Sequence, residues 1–145
     1  MGFLEKFFKK RPKPPPPPPF TDAVLGPMQW SEDNESWIGK CNGFEFALGY
    51  EGEPAPTPAV LDYAKDVLSR PDWLASTLAA EKKRWESRVP KRLLAELEGL
   101  RFGVIYFSMF PTSYYIFATL EGGQDPRCWR VEYHGHECDG MGFDT

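Results

Sequence analysis

Trp37-Ile38-Gly39-Lys40-Cys41-Asn42-Gly43-Phe44-Glu45-Phe46-Ala47-Leu48-Gly49-Tyr50 is the stretch from which the fold can be read. Asn-Gly lies between two runs of strand-forming residues, and Phe44, Phe46, Leu48 and Tyr50 alternate with smaller or polar neighbours. A two-residue hairpin turn needs positive φ at both central positions, which Asn and Gly tolerate best, so the segment predicts two antiparallel strands. Upstream, Val24 to Trp30 is another strand-like run, separated from Trp37 by the polar stretch Ser31 to Ser36. The expectation is a three-stranded antiparallel meander.

Downstream the period changes. Glu51 to Pro56 reads as a loop, and Thr57-Pro58 as a helix start, with Thr57 capping free amides and Pro58 at the first helical position. Val60, Leu61, Ala64, Val67 and Leu68 then fall on one helical stripe. Pro71-Asp72 ends that helix and starts a second, with Asp72 as its cap and Leu74, Leu78 and Trp85 facing inward. The charged run Glu81 to Arg88 reads as a solvated helix face. After Pro90, Leu93, Leu94 and Leu97 make a short third helix that Gly99 closes. Strands return with Arg101 to Phe110, a turn at Pro111-Thr112-Ser113, and Tyr114 to Glu121. Beyond Gly122-Gly123 and Asp125-Pro126, Trp129, Val131 and Tyr133 alternate with polar residues as a half-buried strand. Grouped strands and helices predict an α+β fold: an antiparallel sheet of about six strands in the order β-β-β-α-α-(α)-β-β-β, with helices packed on one face.

At 145 residues, 41% of them hydrophobic and 15% aromatic, the chain suits one domain with one core, here residues 20–145. Lys6, Lys9, Lys10, Arg11 and Lys13 against Glu5 give residues 1–13 a charge of +4, so the net charge of -4 leaves -8 for the rest. In that basic leader Phe3, Leu4, Phe7 and Phe8 share one side of a helical projection, with Lys9 and Lys10 off the stripe. This is the pattern of a short interfacial helix, which predicts peripheral contact of residues 1–11 with an anionic membrane; the competing reading is a frayed terminus without a role. Lys6 stands where a myristoylation signal wants Ser or Thr. Pro14 to Pro19 predict a polyproline II spacer of roughly 20 Å, so the leader is expected to be dispensable for folding.

Cys41, Cys128 and Cys138 are odd in number and form no CxxC pair, which suits free thiols in a reducing cytoplasm. No apolar run is long enough to span a bilayer, and the N-terminus lacks the features of a secretory signal. The expected location is the cytoplasm, with the leader at the inner face of the membrane.

Candidate chemistry is sparse. His134, His136 and Cys138 alternate, so an extended segment would point all three the same way, as a zinc site requires; the competing reading is a solvated strand end or a turn at Gly135. No nucleophile elbow, Cys-His signature or HExxH helix is present. Glu32, Asp33 and Glu35 sit in a polar loop where solvation leaves carboxylates unremarkable, and the glycines at 135, 140 and 142 do not lead a strand into a helix as a phosphate loop would. Excess negative charge disfavours nucleic acid, despite Lys82, Lys83, Arg84, Arg88, Lys91 and Arg92. Neither a catalytic set nor a cofactor is expected.

Leu25-Gly26-Pro27-Met28, the Trp37 strand with the Asn42-Gly43 hairpin, the helical middle, Trp129-Arg130-Val131-Glu132-Tyr133 and the closing Gly140-Met141-Gly142-Phe143-Asp144-Thr145 resemble small bacterial domains encoded beside secreted polymorphic toxins. Those families are generally immunity proteins, which block a toxin by binding it. The resemblance implies a non-catalytic protein that neutralises a cognate toxin, and it carries over no catalytic residue. An acidic domain suits a basic target, and two surfaces are expected to serve: Glu32, Asp33 and Glu35 with Trp37 as aromatic anchor, and Asp139 with Asp144. The alternatives are a membrane-surface adaptor recruited by the leader and a small metal-dependent enzyme using His134, His136 and Cys138.

Overall fold

The computed structural model describes residues 17–49, 55–109 and 113–145. The leader residues Phe3, Leu4, Phe7, Phe8, Lys9 and Lys10, and the first half of the proline run, lie outside the described residues.

The chain forms β1 (Phe20–Asp22), β2 (Gly26–Ser31), β3 (Ser36–Cys41) and β4 (Phe44–Gly49), then α1 (Pro58–Leu68), α2 (Pro71–Glu86), a 3-10 turn (Lys91–Leu93) and α3 (Leu94–Glu98). It closes with β5 (Arg101–Met109), β6 (Tyr114–Glu121), β7 (Cys128–His134) and β8 (Glu137–Asp144). The eight strands make one sheet in chain order. The α+β expectation holds, with eight strands in place of six. The two extra strands are the outermost ones. β1 is only three residues long and pairs Phe20 with Met28, while β8 carries two glycines within it and is held by its ladder to β7, from Cys128↔Asp144 to His134↔Glu137. Neither has the composition that marks a strand locally; a neighbouring strand supplies the reason to be extended.

The sheet is also not wholly antiparallel. The eight strands meet at seven junctions, six of them antiparallel and one parallel, β4 on β5, in register Phe46↔Ile105 and Leu48↔Phe107. The helices between β4 and β5 form a crossover that returns the chain to the end where β4 began, so β5 must run beside it in the same direction.

The Asn42-Gly43 turn forms as expected, with φ of 50° and 83°. Asn42 also donates its side-chain amide to Leu68 O at 3.0 Å, satisfying a carbonyl at the end of α1. Capping at the helix starts differs from expectation. α1 begins at Pro58, but the Thr57 hydroxyl makes no cap bond and is buried without a partner. α2 is preceded by Arg70, and Asp72 lies inside its first turn rather than capping it. Gly99 does close α3, with right-handed φ of -79°. Leu94 is exposed, whereas Leu93 and Leu97 are buried.

The helices cover one face of the sheet. Val60, Ala64 and Val67 of α1 and Leu74 and Leu78 of α2 share a core with Phe46, Leu48, Ile105, Phe107, Ile116, Ala118, Val131 and Tyr133. Edge-on ring contacts run from Tyr63 to Phe107 and from Trp85 to Trp129. Two carboxylates are buried, and one of them, Glu81, lies in the run expected to be a solvated helix face. Glu81 faces the β7–β8 side with Arg84 as its partner at 3.1 Å. Glu96 accepts hydrogen bonds from Gln124 N, Arg127 and Trp129 Nε1, fastening the β6–β7 loop to α3. Among the described residues no helix is long and apolar enough to cross a membrane.

Candidate binding face

The helices leave the other face of the sheet open. Because side chains alternate along each strand, the register fixes what that face carries. One continuous cross-strand row reads Gln29, Ile38, Ala47, Tyr106, Phe117, Glu132 and Gly140 from β2 to β8. Its middle is apolar: Ile38 is 40% exposed, and Tyr106 and Phe117 are half-buried with ring centroids 6.3 Å apart. Val104 lies beside them opposite Glu45. A bulge between Phe102 and Ile105 places it there, with the Thr119 hydroxyl accepting from Val104 N at 2.9 Å where a ladder carbonyl would otherwise be.

Over β2 to β5 this face is hollowed into a groove of about 520 Å³ lined by Gln29, Asn34, Ile38, Lys40, Glu45, Val104 and Tyr106 among others. Gly39 sits in its floor beside Phe46: a Cβ there would lie 2.8 Å from Phe46 Cζ, so only glycine lets the two pack this closely. Lys40 and Glu45 face each other at 3.6 Å and are largely exposed. The acidic turn between β2 and β3 stands at one end of the groove, which its own Asn34 helps to line. Glu32, Asp33 and Glu35 are exposed in that turn, and Glu35 takes a left-handed φ of 47° to close it.

Over β7 and β8 the same face is polar. Arg130 pairs with Asp144 at 2.5 Å and with Glu132 at 3.5 Å, and His134 with Asp139. The Tyr115 ring packs against His134 at 5.1 Å. Burial and then its hydrogen bond to the Glu132 carboxylate push the Tyr115 phenol up.

Trp37 is not the anchor expected of it. It is 1% exposed and packs in the core against Phe20 and Trp30. Its neighbour Ile38 points the other way and is the exposed apolar residue beside the acidic turn. Both are apolar, so the sequence of β3 leaves its facing ambiguous; the pairing Trp37↔Leu48 and Ile38↔Ala47 decides it. The two acidic sets expected to grip a partner are far apart as well. Five strand spacings, about 24 Å, separate β3 from β8, which carries Asp139 and Asp144. Tyr106, Val104 and Phe117 were not singled out from sequence; the alternation in β5 was hidden because both of its faces are apolar.

His134, His136 and Cys138 do not converge. Gly135, with φ of 58°, reverses the chain between them, so they never lie on one extended strand. His134 turns to Asp139 on the open face, and His136 to Asp66 of α1 beside Tyr63 and Trp73. Cys138 pairs with Tyr133 on the helix-covered side. Burial first, and then the charge of Glu81, push its thiol up to about 11. Among the described residues no three His, Cys, Asp or Glu side chains are gathered as a metal ion would need.

Compared with models of protein families, with curated proteins and with solved structures, the chain matches none.

Proposed function

We propose that this domain is a non-catalytic binding protein of the immunity type, which neutralises a cognate bacterial toxin in the cytoplasm by covering it with the open face of its sheet. The observation that carries the reading is the composition of that face. A half-exposed apolar centre of Ile38, Val104, Tyr106 and Phe117 is flanked at one end by the carboxylates of Glu32, Asp33 and Glu35. An apolar centre with a charged rim is the anatomy of a specific protein interface, and the sign of the rim favours a basic target. Trp37 drops out of the interface assigned from sequence, with Ile38 and Tyr106 in its place as anchors. Asp139 and Asp144, already engaged by His134 and Arg130, are the outer rim.

The test is co-expression with the toxin that the wild-type protein captures in its native cell. Ile38→Arg and Tyr106→Ala should each abolish capture and protection while leaving the melting temperature near that of the wild type. Full protection by both variants would remove the open face from the interface. If the captured partner proves harmless to cells, the immunity role fails even where the face is confirmed.

A further inference from the structure

We propose that the groove on the open face takes an arginine side chain projecting from the toxin. The choice of arginine follows from the groove itself; the toxin as its source rests on the toxin-binding reading of the face.

A carboxylate and an aromatic ring share the groove at a spacing that a guanidinium can bridge. In the parallel register of β4 on β5, Glu45 lies opposite Val104 and Ala47 opposite Tyr106. Glu45 and Tyr106 are therefore diagonal neighbours on the open face, with backbones about 8 Å apart from the strand spacing and the rise per residue. A cation stacked on a ring sits within about 6 Å of its centre. The edge of a guanidinium stacked on Tyr106 would then reach the Glu45 carboxylate in the fork geometry such pairs favour. The groove also carries the side-chain amides of Gln29 and Asn34, which are exposed and make no hydrogen bond to another described residue. Their carbonyl oxygens can accept from the remaining N–H groups.

Lysine suits the groove less well. An ammonium is strongly hydrated and would lose water beside the apolar wall of Ile38, whereas a guanidinium is weakly hydrated, stacks on rings and presents its donors in one plane. The arginine stem can lie along the same wall. Glu45 already holds a cation here: Lys40 faces it at 3.6 Å, with side chains 79% and 54% exposed. A surface pair so open to water is worth little, so an incoming guanidinium displaces Lys40 readily. Asp33 and Glu35, exposed in the turn beside the groove, extend the negative field towards an approaching cation.

NMR titration of the full chain with Nα-acetyl-arginine methylamide tests the site, with the corresponding lysine derivative as control. The arginine derivative should move the Tyr106 signals and the side-chain amides of Gln29 and Asn34 with a Kd on the order of 1 mM. The lysine derivative should bind about fivefold more weakly. Tyr106→Leu should erase that difference, Glu45→Gln should weaken both derivatives about threefold, and Lys40→Ala should tighten the arginine derivative. Equal affinity for the two derivatives in the wild type overturns the proposal, and so do shifts confined to Asp33 and Glu35, which would show attraction to the acidic turn alone. If Ile38→Arg abolishes capture of the toxin while the arginine derivative leaves the groove signals in place, the arginine site falls and the binding face stands. If the derivative binds in the groove but Ile38→Arg and Tyr106→Ala still protect fully, the toxin is overturned as the source of the arginine.

Discussion

Glu96 accepts four hydrogen bonds from three residues of the β6–β7 region and is the most heavily used carboxylate among the described residues. The Arg127 guanidinium, with lesser help from Gln124 N and the Trp129 indole, outweighs burial and holds its carboxyl down at about 2, against an ordinary value of 4.5. A carboxylate depressed on folding stabilises the fold fully above its unfolded value, and loses that contribution as pH falls through the folded one. Acid unfolding of the wild type should therefore steepen between pH 4.5 and 2. Glu96→Gln should flatten that part of the curve and cost about 2 kcal/mol at neutral pH, since it leaves buried donors poorly paired; urea titrations across the pH range read both. Cys138 gives a second expectation at this scale. Its thiol is half-buried and pushed up to about 11, so at neutral pH it should alkylate far more slowly than the exposed Cys128, as peptide mapping after limited iodoacetamide treatment would show.

The β3–β4 hairpin joins two jobs in one turn. Asn42 supplies a positive φ and caps the end of α1 through Leu68 O. Asn42→Ala removes both, and the expected loss is about 1–2 kcal/mol, measured as a lower urea midpoint with unchanged slope. Gly39→Ala in the same hairpin drives a methyl into the Phe46 ring, and should lower the midpoint through displaced core packing. The hairpin is also where local reading succeeds, because Asn-Gly has few alternatives to a tight turn. β8 shows the opposite case. Gly140 and Gly142 weaken any local preference for strand, and only the ladder to β7 makes the segment extended.

Across the whole molecule, charge is divided between a basic leader and an acidic domain, and the proposed interface inherits that division. Glu32→Lys/Asp33→Lys should slow association with a basic partner more than it speeds dissociation, because exposed charges act mainly on encounter. The difference from wild type should shrink as salt rises. Stopped-flow mixing at two ionic strengths checks this; equal rates for both proteins would remove the acidic turn from the partner's path. Ile38→Arg, at the apolar centre, should act on dissociation instead.

Local patterns by themselves determined the class of fold, the hairpin, the helix that starts at Pro58 and the charge division, because each follows from neighbours along the chain. Tertiary structure decided the rest. It chose which of Trp37 and Ile38 is buried, since strand register depends on a partner strand. It made β4 and β5 parallel, because the crossover returns the chain to its starting end. It buried Glu81 and Glu96, whose compensating partners become apparent only when distant segments meet. It separated His134, His136 and Cys138, which the alternation along the chain had placed together, because one glycine with left-handed φ turns the backbone between them.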